Sequence, residues 1–298
     1  MDFFLQLFVS GLALGAIYAL VALGFVVIYR ASQVFNFAQG ELLAVGAFVM
    51  VALSRSGLPW GVAFVATLLI TGLVSLAIER GILRRFVARS ILASIIVTIF
   101  LAAVIRIGLI VIWGTDPRGM PTPWTSTATV QLGGASVLVN SLAAVGAAAA
   151  ALAAFFLILK HTRIGVAMRA TSSDQEASLS LGIPVGRVFA AAWFIAGVYA
   201  AVGGVFLGMF PRTVDPNIGL IALAAFPAVI VGGLESPAGV VIAGVALGVI
   251  EVLAGGYVNP LLGQFGQNFH TVLPYLIMIL FLVFRPYGLF GQPEVRRA

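Results

Sequence analysis

The sequence predicts an all-α integral membrane protein, a polytopic bundle of eight or nine transmembrane helices with broken helices among them. Three observations carry that expectation. Of the 298 residues 61% are apolar and only 9% charged, whereas soluble domains carry about 25% charged residues. Ten acids and 16 bases cannot clothe a water-facing globule of this size. Mean hydropathy is +1.14, and apolar runs of about 20 residues, enough to cross about 30 Å of hydrocarbon, recur along the chain. The basic residues collect in alternate connections between those runs, as the positive-inside rule requires. Composition thus excludes a soluble enzyme, a disordered protein and a secreted disulfide scaffold. The net charge of +6 comes from arginines scattered between apolar runs, which argues for membrane orientation and against nucleic-acid binding.

The chain opens on Met1-Asp2-Phe3-Phe4, without a basic segment, and runs into an apolar stretch too long for a signal peptide, so the first span is expected to be retained. Clear spans are expected at 7–29, 58–78, 139–159, 188–210 and 271–290, and interrupted ones at 36–54, 90–114, 218–234 and 237–257. The count stays between eight and nine for two reasons. Gln33 to Glu41 is too polar for lipid, and Leu234-Glu235-Ser236-Pro237 leaves almost no loop, so either place suits a broken or re-entrant helix. With the N-terminus outside, Arg30, Arg80, Arg84, Arg85, Arg89, Lys160, Arg163, Arg169, Arg187, Arg285, Arg296 and Arg297 fall at the inner side, against Arg55, Arg118 and Arg212 outside. The C-terminus is then inside. Trp60, Trp113, Trp124 and Tyr257 fall near outer boundaries, where amphipathic rings settle. Gly11-x3-Gly15, Gly204-x3-Gly208 and Gly244-x3-Gly248 are small-residue pairs that let helix backbones approach, within the subunit first and at a subunit interface second.

Two connections are long enough to carry structure. Residues 115–138, with Asp116-Pro117-Arg118-Gly119 and Thr/Val/Gln alternation, read as an extracytoplasmic loop with a short hairpin. Residues 160–187 hold a helix with both ends marked. Ser173 and Glu176 have the spacing of a capping box, Gly182 supplies a left-handed residue after the helix, and Pro184 prevents continuation. A helix of about two turns is marginal alone in water, and this one has a small apolar side of Ala177, Leu181 and Ile183, so it needs something to dock on. That surface is either the protein's own inner face or a partner.

An ionisable residue within a span costs about 2.5–3.5 kcal/mol on insertion scales, which singles out Glu41, Arg106 and Glu251. Glu41 ends a polar run in which Gly40 permits a non-helical backbone. Asn36, Gln39 and Glu41 either line a passage or satisfy the backbone of a broken helix, and the residues alone do not choose. Arg106 is expected to snorkel towards the outer interface as an anchor, and Glu251 to reach the interface from the outer end of its span. Asn36 to Gly46 faintly echoes Asn217 to Ala225, with the two segments antiparallel in this topology. An inverted repeat would place a pathway between 36–50 and 217–232, the second kinked at Pro227.

The stretch Glu176-Ala177-Ser178, three residues, Gly182 resembles the signature loop of ABC-importer permeases, although the family's later Ile-x-Leu-Pro is absent and Gly182-Ile183-Pro184 follows at once. That variant is similar to the branched-chain amino-acid permeases of the LivH type. Further matches are Asn36-Phe37-Ala38-Gln39-Gly40-Glu41, Arg163-Ile164-Gly165-Val166-Ala167-Met168-Arg169-Ala170, Gly232-Gly233-Leu234 with Pro237-Ala238-Gly239, and Phe284-Arg285-Pro286-Tyr287-Gly288-Leu289-Phe290-Gly291. They span essentially the whole chain. The resemblance implies a single permease domain over 1–298 in a bacterial cytoplasmic membrane, with 160–187 as a cytoplasmic coupling loop. It further implies a second related permease, two cytoplasmic ABC ATPases, an extracytoplasmic substrate-binding protein and a small-molecule cargo.

On that reading Arg169, Ser173, Glu176, Ala177, Gly182 and Pro184 couple to an ATPase, while Asn36, Gln39, Gly40, Glu41, Asn217 and Pro227 belong to the translocation path. No phosphate-binding loop is present, since the one lysine, Lys160, precedes His161. ATP and Mg are therefore expected on partner subunits and no cofactor on this chain. With no cysteine and only His161 and His270, neither a catalytic residue nor a metal site is expected. The alternatives are the same machinery carrying urea, short amides or other amino acids, and an ion-coupled secondary transporter. The scarcity of intramembrane carboxylates counts against the latter, and a membrane-embedded enzyme lacks any nucleophile or dyad.

Overall fold

A helix that is apolar on every side is stable only where every side is covered, and α1 (Asp2–Ser32) meets that condition, with 89% of its most apolar stretch buried. The computed structural model describes residues 2–86, 91–209, 211–285 and 288–290. Met1, Arg89, Arg296, Arg297 and the Pro286, Tyr287 and Gly291 of the terminal motif lie outside the described residues. A second axis is α8 (Val185–Leu207), 78% buried over its own apolar stretch. Around these two pack α2 (Gln39–Arg55), α3 (Trp60–Gly81), α5 (Val139–His161) and α11 (Pro237–Leu261). By contrast, α4 (Ile91–Trp113) and α5 bury only 17% of their apolar stretches and turn residues such as Phe100, Val111 and Leu157 outward. Facing lipid, such side chains lose nothing by exposure.

Six described helices are long and apolar enough to cross a membrane, α1, α3, α4, α5, α8 and α11. The seventeen-residue α2 and two shorter apolar helical stretches, 218–232 and 269–284, occupy the remaining expected spans. The run at 218–234 is broken into α9 (Ile218–Ile221), a 3-10 turn (Ala222–Ala225) and α10 (Phe226–Gly232). Pro227 sits in the first turn of α10, where a missing N–H costs no hydrogen bond. The 3-10 turn stands just before the proline, the position at which a proline ring disturbs a helix. The last stretch, α12 (Phe269–Phe284), stops at Arg285, six residues short of the apolar run that ends at 290.

Between lipid-facing helices there is no hydrophobic driving force, so association depends on close packing. The α1–α11 seam shows how. Gly11 and Gly15 face Gly244 and Gly248 so closely that a Cβ on Gly15 would stand 2.6 Å from the Val245 carbonyl oxygen, and one on Gly244 2.7 Å from the Ala19 nitrogen. Both glycine pairs thus serve packing within the subunit. Likewise Gly204 of α8 meets the Leu43 carbonyl of α2.

At one end of the bundle the loop 115–138 contains the expected hairpin, β1 (Thr129–Leu132) antiparallel to β2 (Ala135–Leu138) with Thr129 opposite Leu138. The loop is tied down by more than its strands. Arg118 and Val214 exchange backbone hydrogen bonds of 2.9 and 2.8 Å with the connection after α8. Trp60 Nε1 donates to the Pro121 carbonyl at 3.0 Å, and Trp124 Nε1 to Asn140 Oδ1 at 2.7 Å. At the opposite end lie α6 (Arg163–Ser173) and α7 (Gln175–Ser180). There too Leu289 donates its N–H to the Val231 carbonyl at 2.8 Å, laying the chain across the end of α10.

Candidate functional sites

The six-residue α7 depends on its caps. Thr162 starts α6 by accepting the Gly165 N–H at 3.1 Å, and α6 then runs through to Ser173. Ser173 is consequently the last residue of a helix and its hydroxyl donates to the Arg169 carbonyl at 3.1 Å. The cap of α7 is Asp174, extended at φ −158°, whose Oδ1 accepts the Ala177 N–H at 2.9 Å. This corrects the Ser173–Glu176 capping box. Once α6 claims the Ser173 backbone, the next short acceptor in extended conformation takes over the cap, and Asp is among the best residues for it. The other end is as expected: Gly182 has φ +78°, its N–H donates to Leu179 at 2.9 Å, and that of Ile183 to Ser178 at 3.0 Å. These are the two bonds of a Schellman motif. Pro184 then caps the start of α8.

The surface of α7 is sided. Ser178 is buried and Ile183 half-buried, while Glu176, Ala177 and Gly182 are exposed and Leu179 and Leu181 are 59% and 81% exposed. Of the apolar side, Ile183 packs against the protein's own core, while Ala177 and Leu181, with Leu179 beside them, are left uncovered. Besides the apolar contacts of Met168 and Ile183, polar bonds hold the segment: Arg30 Nη2 donates to Ser172 Oγ at 3.0 Å, Gln175 Nε2 to the Ala31 carbonyl at 3.1 Å, and Arg169 to the Leu159 carbonyl. Two of these three bonds end on the last turns of α1, a few residues before the polar break at Asn36.

That break is closed on itself except at Glu41 Oε2, which is buried without a hydrogen bond among the described residues. Asn36, Gln39 and Glu41 are all buried. Asn36 Oδ1 accepts the Ala38 N–H at 3.1 Å, its amide donates to Gln39 Oε1 at 3.3 Å, and Gln39 Nε2 reaches the Ala196 carbonyl of α8 at 3.1 Å, passing α1 where Gly24 has no Cβ. Gly40 lies directly against Gly219, on which a Cβ would stand 2.8 Å from the Gly40 carbonyl oxygen. The two segments that echo each other in sequence thus touch. Asn217, however, is exposed at the start of α9, its N–H bound to Asp215 Oδ1 at 2.7 Å, and Pro227 is buried in α10.

Two charges differ from expectation. Arg106 does not snorkel: it pairs with Glu41, with Nε 3.0 Å from Oε1 and Nη2 also in contact, because α4 packs on α2. Glu251 is buried and accepts a 3.0 Å hydrogen bond from the Tyr18 hydroxyl instead of reaching an interface. The sequence held the signal for the second pair. Gly11, Gly15 and Tyr18 fall at helical spacing, as do Gly244, Gly248 and Glu251, so each polar residue continues a glycine stripe into the same seam. Among the described residues no cluster of three or more metal-ligating side chains occurs.

Residues 7–282 match the family model described as branched-chain amino acid transport system / permease component. LivH of Salmonella typhimurium, a high-affinity branched-chain amino acid transport system permease protein, is 29% identical, covering 99% of this chain and 98% of LivH. BraD of Pseudomonas aeruginosa, described in the same words, is 28% identical over the same shares. Among solved structures, PsaBC from Streptococcus pneumoniae in complex with Fab shares the fold, with a TM-score of 0.51 and 14% identity over 94% of this chain and 91% of that one. The chain belongs to the branched-chain amino acid permease family and is a LivH-like, polytopic membrane transport protein.

Proposed function

We propose that this chain is the membrane permease subunit of an ATP-driven importer that carries branched-chain amino acids across the cytoplasmic membrane of a bacterium. Residues 1–298 form one permease unit, oriented with the N-terminus and the 115–138 hairpin loop outside and the α6–α7 segment inside. Its partners are a second related permease, two cytoplasmic ABC ATPases that hold ATP and Mg, and an extracytoplasmic protein that delivers the cargo; the chain itself binds no cofactor.

The observation that carries this reading is the sided α7. A short helix that exposes Glu176, Leu179 and Leu181 while capped at Asp174 and Gly182 is stable in shape yet incomplete in contacts, which suits docking into a groove of another subunit. Movement of that subunit would then reach the bundle through Arg30–Ser172 and Gln175–Ala31, since both bonds end on α1. Nothing else in the chain can harvest ATP, because no phosphate-binding loop exists. The test is purification of the tagged chain from its native membrane in mild detergent. Two P-loop ATPases and a second permease should accompany it, and Glu176→Lys should cut their recovery and ATP-driven uptake by about tenfold or more, as loss of a matched interface charge does. Unchanged uptake by that variant would remove α7 from the coupling role.

A further inference from the structure

On the hairpin side of the bundle, α1, α5, the end of α8 and α11 leave between them a cleft of about 240 Å³. A single water needs only about 10–15 Å³ of such space, so the cleft admits a molecule of several heavy atoms. Its wall is mostly apolar, including Leu14, Ile17, Phe206 and Val252, and Arg212 is its one cation. Arg212 is half-buried just past the end of α8, and among the described residues its guanidinium makes neither a hydrogen bond nor an ion pair within 4.0 Å. Glu251, adjacent in sequence to the lining Val252, lies within electrostatic range of it but is committed to Tyr18. Asn140, also on the wall, is bound to Trp124 and to the Ser126 carbonyl. A half-buried guanidinium without a bonded anion is a strong carboxylate receptor.

We propose that this cleft binds a small aliphatic amino acid from the outer face, the Arg212 guanidinium taking its carboxylate and the wall of Leu14, Ile17, Phe206 and Val252 its side chain. This inference rests on the function proposed above and names where the permease itself first holds cargo. Selection by side-chain shape is shallow in such a site, since one methylene in an apolar pocket changes affinity by about 10–200-fold at most. The carboxylate is what the cleft demands.

The experiment uses the complete complex in nanodiscs, without nucleotide or binding protein, and measures equilibrium binding of tritiated leucine. Saturable binding is expected, displaced by isovalerate, which keeps the carboxylate, and not by isopentylamine, which lacks it. Arg212→Gln should weaken leucine binding by about tenfold or more, the worth of a hydrogen bond to a charged group. Arg212→Lys should recover part of the loss, and Val252→Trp should fill the cleft and weaken binding again. Recovery of the ATPases with each variant reports assembly, and if Val252→Trp fails to assemble the two Arg212 variants decide. Absence of leucine binding to the wild type, or equal binding by wild type and Arg212→Gln, overturns the proposal. So does an Arg212→Gln complex that loses retained anionic lipid but keeps its leucine affinity, which would make the cleft a lipid site. A parallel uptake assay separates the two readings. If the wild-type complex with its binding protein and ATP imports no branched-chain amino acid, the proposed function fails; if it imports them while the variants bind leucine normally, only the cleft fails.

Discussion

Asn36–Glu41 and Asp174–Gly182 are two short polar interruptions of an apolar chain, drawn from the same kinds of residue, and the fold treats them in opposite ways. At Asn36–Glu41 every polar side chain turns inward, to Gln39, to the Ala196 carbonyl and to Arg106. At Asp174–Gly182 the side chains of Glu176, Leu179 and Leu181 turn outward, and only Gln175 and the buried Ser178 face the protein. The physical difference lies in what surrounds each. The first sits among α1, α2, α4 and α8, where an unpaired polar group has no water to fall back on. The second lies at the end of the bundle, where exposed polar groups cost nothing and local caps suffice to hold the shape. A closed interruption stabilises the bundle, and an open one offers a surface.

The largest effect should come from breaking the closed interruption at its charge. Arg106→Leu leaves Glu41 buried without its partner and should destabilise the permease by about 3–5 kcal/mol, read as a shift in unfolding by denaturing detergent. Glu41→Gln in the same chain should restore most of it. If Arg106→Leu unfolds like the wild type, the pair is ornamental and the contrast between the regions weakens. Next comes the backbone contact: Gly219→Ala places a methyl against the Gly40 carbonyl and should cost about 1–3 kcal/mol, the usual penalty of overpacking. A loss under that range in the same unfolding assay would mean that α9 slides freely over α2. The smallest effect is at the open interruption. Asp174→Ala should lower ATP-driven uptake through loss of about 1 kcal/mol of capping, whereas Ser173→Ala should leave uptake unchanged. The reverse order would return the cap to Ser173.

Much of the fold was legible in the chain. Long apolar runs gave six of the helices to within a few residues, since nothing but a helix satisfies its own backbone in lipid. The hairpin in 115–138 and the left-handed Gly182 were readable because turn chemistry is local. The capping residue of α7 was not, since Ser173 and Asp174 are both good caps and the choice depends on how far α6 extends. Nothing near Arg106 in the sequence points to its partner, which lies 65 residues away on another helix.

Glycine spacing marks an intermediate case. Gly11, Gly15, Gly244 and Gly248 announce close approach, and Tyr18 and Glu251 follow on the same stripes, but only the packing of α1 on α11 tells which stripe meets which. By itself, then, the sequence determined the membrane class, the helices and their local ends, because hydropathy, length and capping act over a few turns of chain. Tertiary structure alone decided that the polar break is closed, that α7 is open, and that Arg212 stands in a cleft with no bonded anion among the described residues. Those outcomes depend on pairings between distant segments, and a buried polar group can be read as partnered or free only once its neighbours are in place.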